Sequence, residues 1–305
     1  MCDGAGIDAL WVRDHLAAPD GQPRLEAWTA LTLASAAVSR ARIGATLTLA
    51  FRPVGTLAAM AGTLDAAIGG RLELALSTGW IEREHQSFGL DFPDAGAGAD
   101  LLETYARRLR ALLSGDPVTL GDGPEAELGV ASPQGGGPPL SVEALTPHQM
   151  EAAARVADDV LMPARVVSDA DAAAQRIRQA CERAGRDPGT IGISLEVPVS
   201  IGRTRAEAEA RAAGETLFDV VGPPGEVGIF GTLEECQESV IELAHAGVTD
   251  LRCILPNNPD IHDVIAQLTA IAVGTIDVLM PGAPRSKDPD PPEGWGGRVS
   301  RPTKG

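Results

Sequence analysis

Residues 43–77, IGATLTLAFRPVGTLAAMAGTLDAAIGGRLELALS, hold two short β-forming runs on either side of a helix-forming stretch. Ile43–Leu49 is nearly all apolar or hydroxylated, as a strand buried on both faces must be. Pro53 suits the first turn of a helix that runs to about Ala67, and Gly69-Gly70 ends it. Leu72–Ser77 is the next strand. A strand, a crossing helix and a second strand make one unit of a parallel sheet.

The same unit repeats in both directions. Upstream, Ile7–Val12 is a strand, the Pro/Gly loop 19–23 follows, and 26–38 is helical. Downstream, a short helix over 81–88 precedes a longer one over 99–113, where Leu101, Leu102, Tyr105, Leu109 and Leu112 recur at helical spacing. Residues 114–139, with Gly121-Asp122-Gly123-Pro124 and Gly135-Gly136-Gly137-Pro138-Pro139, form a long irregular segment, expected to be functional or mobile. Strands over 140–144, 160–162, 191–199 and 250–255 then alternate with helices over 147–157, 169–184, 204–217, 233–246 and 261–271. Seven strands result, all but one followed directly by a helix, which predicts an α/β fold with a closed or doubly wound parallel sheet. A barrel of ~250 residues suits the 305-residue length. Residues 1–280 are expected to form that domain, and 281–305, rich in Pro, Gly and charge, a disordered tail.

Composition excludes several classes of function. With 25 Lys+Arg against 42 Asp+Glu the net charge is −17, so nucleic acids and anionic membranes are repelled. Charge breaks every long apolar stretch well before ~18 residues, so no spanning segment is expected. Cys2, Cys181, Cys236 and Cys253 show no C-x-x-C spacing, which suits free thiols in a cytoplasmic protein.

Arg13-Asp14-His15 directly follows the first strand, at the end where α/β folds place their chemistry. A histidine there exchanges protons near neutral pH, and an adjacent aspartate is positioned to orient it or to raise its pKa. Asp14 as a helix or loop cap and His15 as polar surface is the plain structural alternative.

From Gly6 to about Ile271 the chain resembles the luciferase-like monooxygenase superfamily of flavin and deazaflavin barrel enzymes. The resemblance is carried by Gly6-Ile7-Asp8-Ala9-Leu10-Trp11-Val12-Arg13-Asp14-His15, by Thr63-Leu64-Asp65, by Gly69-Gly70-Arg71-Leu72 and by Ser77-Thr78-Gly79-Trp80. Ala154-Arg155-Val156-Ala157-Asp158, Gly231-Thr232-Leu233-Glu234 and Ala246-Gly247-Val248 add to it. It implies a (β/α)8 TIM-type barrel binding FMN or coenzyme F420 at its carboxyl face, with His15 as acid or base and Asp14 tuning it. Thr46, Leu47 and Thr48 are expected to back the cofactor ring, often through a non-proline cis peptide, and Ser77, Thr78, Gly79 and Trp80 to line it. The Trp11 to His15 run resembles the F420 branch more than the FMN branch. A small organic substrate and a homodimer complete the expectation. Relatives carry a strand and helix before the position of Gly6, so the barrel is expected to have an incomplete N-terminus. They also carry a glycine-rich phosphate turn where this chain has Glu143-Ala144-Leu145-Thr146-Pro147, and a carboxylate at Glu143 is expected to repel a phosphate. These two departures sustain a rival reading: a barrel without a cofactor that serves as a binding or scaffold protein.

Other motifs carry less. Glu82-x-x-His85 and Glu242-x-x-His245 have the spacing of di-metal helical bundles, but in a different fold, and no metal site is expected. Gly69-Gly70-Arg71 connects a helix to the next strand and reads as a structural turn.

Overall fold

The computed structural model describes residues 7–17, 24–213, 221–255 and 264–272. Eight parallel strands form one curled sheet: β1 Ala9–Arg13, β2 Arg42–Thr48, β3 Leu72–Ser77, β4 Leu140–Glu143, β5 Asp159–Met162, β6 Gly192–Ile201, β7 Ile229–Gly231 and β8 Asp250–Ile254. Neighbours pair in chain order to β7; β8 pairs the first half of β6 and β7 its second half. The three-residue β7 is a strand the sequence pattern does not announce. Among the described residues β1 pairs only with β2 and β8 only with β6, so the wall has one open seam. This is an α/β barrel of the expected luciferase-like type, with its wall incomplete between β1 and β8 among the described residues. The expected tail 281–305 lies outside the described residues.

Helices α1 Ala27–Ala37, α2 Val54–Ala67, α3 Glu82–Ser87, α4 Ala95–Ser114, α5 Pro147–Val156, α6 Ala170–Arg183, α7 Arg205–Ala213, α8 Pro224–Val227 and α9 Leu233–Ala246 connect the strands. Their ends follow local chemistry. Asp94 accepts the N–H groups of Gly96 and Ala97, so α4 starts a turn earlier than its apolar pattern. Thr232 and Glu235 form a reciprocal cap on α9.

Alternation along the strands divides the interior into two environments. Outward positions such as Ile43, Leu47, Leu72, Leu74, Leu76 and Leu195 pack against helices in the main apolar core. Many inward positions are polar or charged, and they meet across the barrel: Arg252 donates to Ser141 (2.6 Å) and Asp159 (3.2 Å), and its guanidinium lies 3.6 Å from the inward Trp11 ring centroid. Gly44 sits opposite Trp11 in register, and a Cβ there would stand 2.7 Å from the indole. Only glycine admits that ring into the barrel floor.

The long segment between α4 and β4 is docked rather than loose, and it lies on the amino-terminal face, away from the strand ends that carry chemistry. Asp65, fully buried at the end of α2, accepts Ser132 Oγ at 2.5 Å, Gln134 Nε2 at 3.0 Å and the Leu72 N–H at 3.0 Å. Gly69-Gly70-Arg71 belongs to the same face, where Arg71 donates to the carbonyls of Val38 and Ala41. Asp65→Ala should therefore lose ~3 kcal/mol, since buried donors left without an acceptor cost ~1–3 kcal/mol each. Urea denaturation measures it, and a loss below ~1 kcal/mol would mean that the segment docks without this carboxylate.

Candidate active site at the carboxyl ends of the strands

The end of β1 sends three consecutive side chains to three different partners. Arg13 points into the barrel, where Nη2 meets Glu143 Oε1 at 2.6 Å and Nε meets Glu196 Oε1 at 3.0 Å. Ser77 donates to the other oxygen of Glu143 and accepts the Gly79 N–H at 2.9 Å. Burial alone would raise the Glu143 pKa, but Arg13 and then Ser77 hold it below the usual carboxylate range. Glu143 is thus an interior ion-pair partner, not a residue facing a phosphate turn.

Asp14 turns the other way. Its side chain accepts the Thr48 N–H at 3.2 Å and the guanidinium of Arg52, which also binds Glu26. Burial raises the Asp14 pKa, and Arg52 opposes that shift. Asp14 therefore fastens β1 to the segment after β2, and the expectation that it orients His15 is corrected: adjacent residues at a strand end diverge.

His15 is 7% exposed, and its partner is Glu84 on α3, with Nδ1 3.2 Å from Oε2. The second oxygen of Glu84 accepts the N–H groups of Leu16 (2.6 Å) and Ala17 (2.9 Å), so one carboxylate fixes both the imidazole and the backbone beyond it. A carboxylate on Nδ1 places the proton of the neutral ring there and leaves the Nε2 lone pair as acceptor. Burial lowers the His15 pKa below its ordinary 6.5; Glu84 opposes the shift, and Arg13 and Arg24 add to it. The expected upward shift from Asp14 is replaced by a downward one, which favours the neutral imidazole near pH 7.

The remaining expected residues gather around this centre. Thr46 and Thr48 point inward from β2, whereas Leu47 points out into the helix-packed core, so only its backbone reaches the mouth. Among the described residues there is no cis peptide bond, in contrast to the expectation at Thr46-Leu47-Thr48. Thr78 Oγ1 accepts Gln149 Nε2 at 3.1 Å, linking the ends of β3 and β4. Gly79 adopts φ 79°, and a Cβ there would stand 2.5 Å from His85 Cε1. His85 is fully buried between Phe51 and Phe92; its Nδ1 lies 3.1 Å from the Ile81 carbonyl, and its Nε2 has no hydrogen-bond partner among the described residues. Trp80 is 43% exposed at the rim, edge-on to His15 with ring centroids 6.3 Å apart.

Glu84, Arg52, Arg13 and Glu196 are the site residues that sequence reasoning did not single out. Of these only Glu84 had a local signal, the helix-opening run Ile81-Glu82-Arg83-Glu84-His85 shortly after β3.

A cavity of about 740 Å³ opens beside this centre, between β1 and β8. Arg13, Thr46 and Glu196 line its inner end, and Trp11, Leu251 and Arg252 its walls. Of the residues expected to bind or act on a cofactor, Thr46 alone lines it.

Comparison with known proteins agrees with this architecture. The family described as luciferase-like monooxygenase matches residues 1–246. The chain is 26% identical over 230 residues to a 5,10-methylenetetrahydromethanopterin reductase from Methanolobus tindarius, covering 74% of this chain and 67% of that protein. It is 32% identical over 183 residues to the pyrimidine monooxygenase RutA of Escherichia coli, covering 57% of this chain and 50% of RutA, so it spans about half to two thirds of these relatives. The structure of a coenzyme F420-dependent tetrahydromethanopterin reductase from Methanopyrus kandleri superposes with a TM-score of 0.74 at 20% identity, over 88% of this chain and 91% of that one. A polar-lined parallel barrel, a buried imidazole at the carboxyl face and a family match across most of the length converge: the chain belongs to the luciferase-like monooxygenase family, a family of flavin- and deazaflavin-dependent oxidoreductases.

Proposed function

We propose that this protein is an oxidoreductase that transfers hydride between coenzyme F420, in preference to FMN, and a small organic molecule, with His15 exchanging the accompanying proton. The observation that carries the reading is the His15–Glu84 pair: a buried imidazole, neutral by burial, with its free lone pair at the carboxyl mouth of a parallel barrel. The donor set fits a planar, partly polar ring: the buried Thr46 and Thr48 hydroxyls point inward at the strand ends, and the half-exposed Trp80 indole stands edge-on to His15 at the rim. When bound, the cofactor supplies the hydride chemistry. The chain supplies the rest. Thr46 and Thr48 form the inner support, Ser77–Gly79 let the backbone approach closely, Trp80 offers a flat apolar wall, and His15 Nε2 takes or returns the proton.

A cytoplasmic homodimer belongs to the same reading; the described cysteines Cys181, Cys236 and Cys253 are all free, which supports a reducing compartment. Among the described residues no helix is long and apolar enough to cross a membrane.

Fluorescence titration with F420 and with FMN tests the proposal. Saturable binding of either, tighter for F420, is expected, and binding of neither would favour the scaffold reading. Trp80→Ala should weaken the bound cofactor by ~1–3 kcal/mol if the indole packs on it. An unchanged dissociation constant would assign Trp80 to another contact at the rim.

A further inference from the structure

We propose that His85 is a positioning residue for the proton-exchanging pair: its ring docks α3 against the barrel mouth so that the neighbouring Glu84 meets His15. The proposal rests on the reading of His15 as the group that exchanges the proton.

α3 cannot hold its place alone. Its six residues fall far below the ~12–15 at which an isolated helix becomes even marginal in water, so contacts with the rest of the chain must fix it. Only two of the six, Glu84 and His85, are buried. One holds the imidazole of His15; the other supplies the anchor.

The His85 ring is fully buried, with its centroid 5.3 Å from that of Phe51 and 5.0 Å from that of Phe92, the second contact edge-on. Aromatic contacts of this kind fix orientation as well as position. The Ile81 carbonyl, 3.1 Å from Nδ1, can only accept, so Nδ1 carries the ring proton and ties the side chain back to the start of its own helix. Nε2 has no partner among the described residues, so the fit of the ring, not a second hydrogen bond, seats it. Gly79 forms the third wall of the slot: its φ is 79°, and a Cβ there would stand 2.5 Å from His85 Cε1. Ser77 Oγ accepts the Gly79 N–H at 2.9 Å and so holds that wall in place. The Leu90 N–H bonds the His85 carbonyl at 2.9 Å, which closes the helix on the same residue.

These contacts complete a circuit between two adjacent residues whose side chains diverge. Asp14 binds Arg52; Phe51, beside Arg52, packs on His85; Glu84, beside His85, binds His15. The other groups that Glu84 accepts, the Leu16 and Ala17 N–H, lie past the end of β1. His85 is therefore what registers α3 on the segment that Asp14 fastens to the strand.

A double-mutant cycle on the His15 titration tests the proposal, followed by NMR on the full-length protein without cofactor, with the His15 resonance assigned by its loss in His15→Ala. Glu84 raises the His15 pKa, against burial, Arg13 and Arg24, which lower it. Glu84→Gln alone should lower the midpoint by about one pH unit. In a His85→Ala background, where the slot is empty, the same change should move it by less than ~0.3 pH unit, the usual margin of additivity. Gly79→Ala, which puts a methyl where the ring lies, should uncouple the pair in the same way and serves where His85→Ala does not fold. His85→Phe keeps the flat ring and should keep the full shift. A Glu84→Gln shift of equal size in the wild-type and the alanine backgrounds overturns the proposal, because Glu84 then finds His15 through Leu16 and Ala17 alone. Loss of the shift in His85→Phe overturns docking by ring fit. No turnover enters these titrations: coupling through His85 together with unchanged turnover in His15→Ala would keep the positioning and end the proton role of His15.

Discussion

His15→Ala lowers turnover by ~10²- to 10⁴-fold and leaves cofactor affinity within a few-fold, because general acid–base help is worth about that much and the imidazole supplies little binding area. The pH profile adds a sign. Burial lowers the His15 pKa below 6.5, so the acidic limb of the turnover profile should have its midpoint below that value. Glu84 is the group that raises this pKa, so Glu84→Gln should move the midpoint further down rather than up. The same shift appears in stability. Between the lowered folded value and 6.5 the unfolded chain binds a proton that the folded chain refuses, so stability falls as pH falls through this window. His15→Ala should flatten that slope. A variant with weaker cofactor binding but unchanged turnover would make His15 a binding residue and end its proton role.

The alternation of strands and helices was legible because it rests on local chemistry: β-forming apolar runs, Pro53 at the start of α2 and the pair Gly69-Gly70 that ends it. β7 escaped because three residues carry no period. The site was half legible. His15, Thr46, Thr48, Ser77 and Trp80 are recognisable from their places at strand ends. Their partners are not, because pairing depends on orientation and on distant chain: Glu84 is 69 residues beyond His15, and Glu196 is 183 beyond Arg13. Adjacency misled at Asp14, whose neighbour His15 diverges from it while Arg52 arrives from across the strand. The long loop misled in the opposite sense, since its glycines suggest mobility and its Ser132 and Gln134 tie it to Asp65.

Arg13→Met should cost ~3–5 kcal/mol of stability, the largest loss from any single substitution near the site, because it removes the cation shared by two interior carboxylates. Glu143 is almost wholly enclosed, with 1% of its side chain exposed, and Arg13 is what holds its pKa below the usual range. In the wild type that depression contributes stability above the ordinary carboxylate pKa, which is lost as the pH falls through the folded value. Without Arg13 the burial, the Ser77 hydrogen bond and the more distant charge of Arg165 remain, and burial is the largest influence, so the Glu143 pKa is expected to rise above its unfolded value. The folded state then binds the extra proton, and the sign of the pH dependence reverses: the variant should be more stable at pH 5 than at pH 7.5. Urea denaturation across that range measures it. Arg13→Met combined with Glu143→Gln and Glu196→Gln should recover most of the loss and abolish the reversed slope, since no uncompensated charge is then left inside the barrel. A single variant as stable as the wild type, with an unreversed slope, would mean that water rather than Arg13 solvates these carboxylates. The barrel interior would then be open along the seam, and the polar centre would be a solvated channel instead of a fixed ion-pair lattice beneath His15.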